Sequence, residues 1–226
     1  MMKNNKIFIA CDSTNILKIK KIIKETQNKK LKVGYKFGLE FLNSKYGRSF
    51  LSKIKNKIIF ADLKLHDIPN TVKESILGLK HLPISMLTIH TSGGLDMMRA
   101  AVEGVEGTNI KIFGVTALTS LSDSDSERIF RRNIRSQVSS LLDLAEEACI
   151  DGVVCSPQEL ELLSQRNSLL SVTPGIRLKN FNDDQKRVMT PREAIELGAN
   201  YIVIGRPITS SENISKSLNE IYLSIQ

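Results

Sequence analysis

Hydrophobic positions along this chain fall into short β-rich runs separated by longer amphipathic stretches, and the alternation persists from end to end. Apolar runs bounded by turn residues predict strands over Ile7–Cys11, Leu31–Gly34, Ile58–Lys64, Met86–His90, Ile110–Thr116, Gly152–Cys155, Leu170–Thr173 and Tyr201–Ile204. Between them, apolar residues recur at helical spacing over Asn15–Glu25, Leu39–Ile54, Thr71–Lys80, Leu95–Glu103, Ile134–Ala148, Pro157–Leu163, Pro191–Leu197 and Asn213–Ile225. Pro157 after Ser156 and Pro191 after Thr190 read as an N-cap followed by a proline in the first helical position, and Gly198 reads as a helix-ending glycine.

Repeated β-then-α units in a chain of 226 residues predict a TIM (β/α)8 barrel, a single domain over 1–226. A doubly wound sheet is the alternative, but no G-x-G-x-x-G follows the first predicted strand. No linker, short-period repeat or low-complexity tract interrupts the pattern. The longest connections, Ser120–Asn133 and Leu178–Met189, are polar and follow strands, which in a barrel places them on the catalytic face as lids or binding loops.

Composition narrows the class. Hydrophobic residues make up 41% and charged residues 25%, as in a soluble globular protein. No apolar run approaches the roughly 18 residues of a membrane span, and Ile7-Phe8-Ile9-Ala10-Cys11 is too short for a signal-peptide core. The expected location is cytoplasmic, with no membrane partner. Cys11, Cys149 and Cys155 lack C-x-x-C spacing and read as small reduced core residues, neither a disulfide framework nor a zinc site. The formal charge of +8 raises nucleic acid as a partner, but the lysines are scattered and no aromatic residues interleave with them as a stacking platform. A solvated Lys-rich surface, and no nucleic-acid partner, is the better reading.

The densest chemistry lies in Asp62-Leu63-Lys64-Leu65-His66-Asp67. On a strand, residues i and i+2 share a face, so Asp62 and Lys64 point the same way at the strand's end and Asp67 sits just beyond. A solvated strand end with an incidental ion pair is the plain alternative for a lone D-x-K. Other polar residues also fall at strand C-terminal ends: Asp12, Lys32, His90, Thr119, Arg177 and Arg206. In a barrel those ends converge on one pocket.

The run continues as Asp67-Ile68-Pro69-Asn70-Thr71. With Leu31-Lys32-Val33-Gly34, Val172-Thr173-Pro174-Gly175-Ile176-Arg177 and Ile202-Val203-Ile204-Gly205-Arg206-Pro207, it resembles the orotidine 5′-phosphate decarboxylase family from Ile7 to about Thr209. D-x-K-x-x-D-I-P-N-T is the specific part of the resemblance; T-P-G-I-R and I-G-R-P support it.

That resemblance implies decarboxylation of orotidine 5′-monophosphate to UMP without metal or cofactor. It implies that Lys32, Asp62, Lys64 and Asp67 form an alternating charge network, with Lys64 as the proton donor. It further implies a homodimer in which Asp67 and Thr71 serve the neighbouring subunit's site. By the same resemblance Asp12 and Lys32 contact the ribose hydroxyls, Thr119 the pyrimidine, and Arg177, Gln185, Gly205 and Arg206 the phosphate end. His66 and His90 read as packed or hydrogen-bonded histidines, and His81 as surface.

Three other readings stand beside it. The 3-keto-gulonate-phosphate decarboxylase and hexulose-phosphate synthase group shares the D-x-K-x-x-D core but uses Mg²⁺ on an enediolate. A non-catalytic phosphosugar-binding barrel would not require so costly a charge array. A nucleic-acid binder would show a steep salt dependence.

Overall fold

The computed structural model describes residues 7–27, 32–166, 168–177 and 189–225. Eight strands, β1 (Ile7–Ala10), β2 (Gly34–Gly38), β3 (Ile58–Leu65), β4 (Met86–His90), β5 (Lys111–Val115), β6 (Gly152–Val154), β7 (Leu170–Thr173) and β8 (Tyr201–Ile204), pair in sequence order. All pairings are parallel, and β1 closes on β8 to complete the barrel. Helices follow the strands: α1 (Ile16–Glu25), α2 (Leu39–Leu42), α3 (Gly47–Leu51), α4 (Pro69–Leu77), α5 (Leu95–Gly104) and α6 (Asp123–Phe130). The remainder are α7 (Ile134–Glu147), α8 (Leu160–Ser164), α9 (Pro191–Glu196), α10 (Arg206–Thr209) and α11 (Ile214–Ser224). Among the described residues no helix is long and apolar enough to cross a membrane.

The alternation of strand side chains builds two cores. Inward-facing Phe8, Ala10, Phe60, Met86, Phe113, Val172, Tyr201 and Val203 fill the barrel itself. Phe8 packs edge-on against Phe60 and Tyr201, with centroids 5.5 and 5.7 Å apart. Gly34 makes room for that aromatic plug, since a Cβ there would lie 2.3 Å from Phe8 Cε1. The outward residues, including Ile7, Ile9, Tyr35, Phe37, Ile59 and Ala61, join the apolar faces of the helices in the larger core.

The expected capping chemistry is present. Ser156 with Glu159 and Thr190 with Glu193 form capping boxes ahead of Pro157 and Pro191, and Gly198 takes φ +92° just after α9. Pro157–Glu159 is a 3₁₀ turn rather than the start of a continuous helix.

Two further predicted segments differ in the structure. The predicted helix Leu39–Ile54 is broken into α2 and α3, because the chain folds back so closely that a Cβ on Gly47 would lie 2.0 Å from the Phe41 carbonyl oxygen. The Ser44 hydroxyl donates to that carbonyl at 2.7 Å and fixes the break. The predicted connection Ser120–Asn133 contains α6, nucleated by the Ser122/Asp125 capping box. Its sequence is polar and only Ser126 is buried, so hydrophobic periodicity carries no signal there.

Candidate active site

β3 carries the central pair. Between the partners Ala61↔Leu87 and Leu65↔Ile89 the register of β3 against β4 shifts, leaving Asp62, Leu63 and Lys64 opposite Thr88 alone. Within this bulge Lys64 adopts a left-handed backbone, φ +51°, which for a non-glycine residue costs about 1–2 kcal/mol. The buried Thr88 side chain spans the gap. Its Oγ1 accepts from Lys64 N–H at 2.8 Å and donates to Asp62 Oδ1 at 3.0 Å.

The Asp62 carboxylate is the hub. Lys64 Nζ lies 2.8 Å from Oδ1 and Lys36 Nζ lies 3.1 Å from Oδ2. Lys36 also reaches Asp12 Oδ1 at 3.2 Å. The result is an alternating row, Asp12–Lys36–Asp62–Lys64, across the C-terminal ends of β1, β2 and β3.

Burial alone would raise the Asp62 pKa, but Lys36 and Lys64, by charge and hydrogen bond, outweigh it and hold the carboxyl below its usual value. For Lys36 burial opposes the charge, yet the pull of Asp62 and Asp12 prevails and raises its pKa. Both groups are charged at neutral pH.

The lysine in this row corrects the sequence reading, which placed Lys32 there. The second strand runs over Gly34–Gly38 instead of Leu31–Gly34, so Lys32 is exposed ahead of the strand's N-terminal end. Lys36 sits in register with Ala10 of β1 and Phe60 of β3, two residues short of Asp12 and Asp62. The signal was the alternation itself: Tyr35 and Phe37 face the helices and Lys36 faces inward between them.

A cavity of about 510 Å³ opens over the row, and Asp12, Lys36, Asp62, Lys64, Thr119, Arg177, Gly205 and Arg206 line it. Lys18, Pro174, Thr209 and Ser210, which the sequence reading did not single out, line it as well. Arg177 is buried and donates from Nη1 to the Ile176 carbonyl at 3.0 Å. Gln185, and residues 178–188 of the Leu178–Met189 connection, lie outside the described residues.

Asp67 and Thr71 do not line this cavity. Both are exposed, Thr71 in the first turn of α4 and Asp67 on the connection into it, where Asp67 Oδ1 accepts from Ile68 N–H at 2.7 Å. The Ile68 side chain beside them is 67% exposed. His66 and His90 form a ring pair at 5.2 Å. Burial, followed by the positive charge of His66 and Lys64, pushes His90 below its ordinary pKa, with Asp62 opposing. His81 is exposed, as expected.

Cys11 and Cys155 are buried, and burial raises the Cys11 thiol to about 12. Cys149 is exposed, contrary to its reading as a core residue, because it falls in the left-handed turn after α7. Among the described residues no cluster of three or more His, Cys, Asp or Glu could hold a metal ion.

A second hollow, of about 560 Å³, lies outside the barrel between α1 and the segment after α3, lined in part by Lys20, Lys24, Lys53, Lys55 and Lys57. None of the strand-end charges reaches it. The chemistry belongs to the barrel mouth, where oppositely charged groups alternate around the buried Asp62.

The family model for the orotidine 5′-phosphate decarboxylase / HUMPS family matches residues 5–221. An orotidine 5′-phosphate decarboxylase of Wolbachia pipientis subsp. Culex pipiens is 46% identical over 200 residues, which span 86% of this chain and 88% of the relative. One from Ehrlichia canis is 42% identical over 226 residues and 98% of both chains. The crystal structure of orotidine 5′-phosphate decarboxylase from Lactobacillus acidophilus superposes with a TM-score of 0.84 at 34% identity, covering 98% of this chain and 99% of that one.

Proposed function

The chain belongs to the orotidine 5′-phosphate decarboxylase / HUMPS family, and we infer that it removes CO2 from orotidine 5′-monophosphate to give UMP in pyrimidine biosynthesis. The observation that carries the mechanism is the Lys36–Asp62–Lys64 alternation at 3.1 and 2.8 Å in the barrel mouth.

Breaking the bond between C6 and the carboxylate leaves an electron pair in the plane of the pyrimidine ring, orthogonal to its π system. The ring cannot delocalise that pair, so stabilisation has to come from preorganised charge. An ammonium about 3 Å from the developing carbanion contributes roughly 5 kcal/mol at an effective dielectric of 20, several powers of ten in rate. Lys64 provides it and then transfers a proton from Nζ to C6 as CO2 departs; the neutral amine regains its proton from solvent.

Asp62 lies beside the leaving carboxylate and holds Lys64 charged. It repels the substrate anion more than the less anionic transition state. Lys36 takes the part that the sequence reading gave to Lys32: it neutralises the far oxygen of Asp62 and, with Asp12, faces the ribose hydroxyls. Thr119 contacts the pyrimidine, and Arg177, Gln185, Gly205 and Arg206 hold the phosphate, where arginine offers a bidentate fork.

The working unit in this reading is a cytoplasmic homodimer of single-domain subunits. Asp67 and Thr71 from one subunit complete the other's site, placing a second carboxylate on Lys64. Support comes from the exposure of Asp67 and Ile68 on the connection into α4 and of Thr71 in its first turn, an apolar side chain between two polar ones.

The test is a spectrophotometric assay with orotidine 5′-monophosphate, with and without EDTA, on the wild type and Lys64→Ala. Turnover that survives EDTA and disappears in Lys64→Ala is expected. Substantial activity in Lys64→Ala, or activity restored only by Mg²⁺, would overturn the mechanism.

A further inference from the structure

We propose that Thr88 is a positioning residue of this site, whose hydroxyl holds the Asp62–Lys64 bulge in the shape that aims the Lys64 ammonium. The inference rests on the roles given above to Asp62 and Lys64.

The β-bulge withdraws three residues of β3 from the ladder with β4. A bulge of this kind leaves backbone groups without ladder partners, and a partly buried N–H without a partner is destabilising. At Lys64 the missing partner is a side chain: Thr88 Oγ1 accepts the amide at 2.8 Å. The same oxygen donates its own hydrogen to Asp62 Oδ1 at 3.0 Å. One hydroxyl therefore fixes the backbone of the proton donor and one oxygen of the carboxylate that orients it.

Other buried threonines do less. Thr91 Oγ1 donates to the Val115 carbonyl, and Thr26 Oγ1 to the Ile22 carbonyl beside the Tyr35 hydroxyl, bonds that involve no charged group. Thr88 alone among these three contacts two members of the charged row.

Its environment keeps it rigid. Thr88 has no exposed surface, and Leu87 and Ile89 on either side are equally buried. The branched Cβ restricts χ1 further. The Lys64 left-handed backbone, φ +51°, is a conformation that persists only where surrounding contacts over-determine it. With the hydroxyl removed, Lys64 N–H loses its partner and the bulge can relax toward an ordinary strand, which moves Nζ away from C6.

The decisive comparison is between Thr88→Val, which keeps the shape and removes the hydroxyl, and Thr88→Ser, which keeps the hydroxyl and removes the methyl. In full-length protein Thr88→Val should lower kcat on the order of 10²-fold, the scale of a reacting group displaced by about 1 Å. UMP affinity measured by calorimetry should stay within about threefold, because the phosphate-end residues Arg177 and Arg206 follow β7 and β8 and Lys36 holds the other oxygen of Asp62, Oδ2. Thr88→Ser should recover most of the lost kcat.

The proposal is overturned if Thr88→Val keeps kcat within about threefold of wild type, if Thr88→Ser is as impaired as Thr88→Val, or if kcat and UMP affinity fall together. If Thr88→Val does not accumulate as folded protein, Thr88→Ala is read in its place. Failure of both to fold beside a folded Thr88→Ser would make the hydroxyl structural and equally overturn the positioning role. Lys64→Ala, assayed in parallel, separates the two levels: retained activity there removes the mechanistic reading itself, whatever Thr88 does.

Discussion

Lys36 Nζ contacts Asp62 at 3.1 Å on Oδ2, the carboxylate oxygen that Lys64 leaves uncovered. One buried carboxylate is thus shared between two ammonium groups, one on β2 and one on its own strand. Removing either lysine unbalances a site that is compensated as built.

Lys36→Ala should therefore impair both stability and turnover. Asp62 would keep Lys64 and Thr88 but lose its second cation, so a destabilisation of about 3 kcal/mol is expected, the low end for breaking a buried pair. Urea unfolding measures it, and kcat/KM should fall by orders of magnitude. Lys32→Ala, at an exposed position ahead of β2, should match wild type in both assays. The reverse outcome would return the role to Lys32.

Stability should fall on both sides of a neutral plateau. Asp62 has a native pKa below its ordinary 3.8, so its contribution is present above that value and is lost as pH falls through the lower native one. Lys36 has a native pKa above 10.5, so its contribution is complete below 10.5 and is lost as pH rises through the higher native value. His90 adds an earlier acid limb: its native pKa lies below 6.5, so stability begins to fall as pH drops under 6.5. Urea unfolding against pH should show that limb flattened in His90→Asn and the lower one flattened in Asp62→Asn.

The phosphate grip separates from the chemistry. Arg206 lines the same cavity as Lys64 but belongs to α10, across the barrel mouth from β3. In the proposed function its binding energy would organise the site around a phosphorylated substrate. Arg206→Ala should lower kcat/KM strongly for orotidine 5′-monophosphate and little for the nucleoside orotidine. Equal losses on both would make Arg206 structural.

Sharing of sites between subunits is tested by mixing two inactive homodimers, Asp67→Ala and Lys64→Ala, under conditions that allow exchange. One site of each heterodimer would carry both lesions, and the other would combine intact Lys64 with intact Asp67. Up to about half of wild-type activity per heterodimer should return under C2 symmetry. Heterodimers confirmed by native mass spectrometry yet lacking activity would place Asp67 in its own subunit's site or outside catalysis.

The barrel was legible in the chain, because eight β-then-α units in a chain of this length are expressed in local periodicity and capping chemistry. The sequence also pointed to Asp62 and Lys64 meeting, since neighbours two apart on a regular strand share a face, while the bulge and the left-handed backbone that shape the pair come from contacts with β4. Tertiary structure alone decided which lysine joins them. Lys32 and Lys36 stand in one short segment, and only the register of β2 against β1 and β3 brings Lys36 between Asp12 and Asp62. Thr88 was illegible for the same reason. Its bonds to Asp62 and Lys64 span 26 and 24 residues of chain and exist only because β3 bulges where it passes β4. Local pattern records which way a side chain faces; what it meets there depends on how distant strands are aligned, a property of the closed sheet and of no single segment.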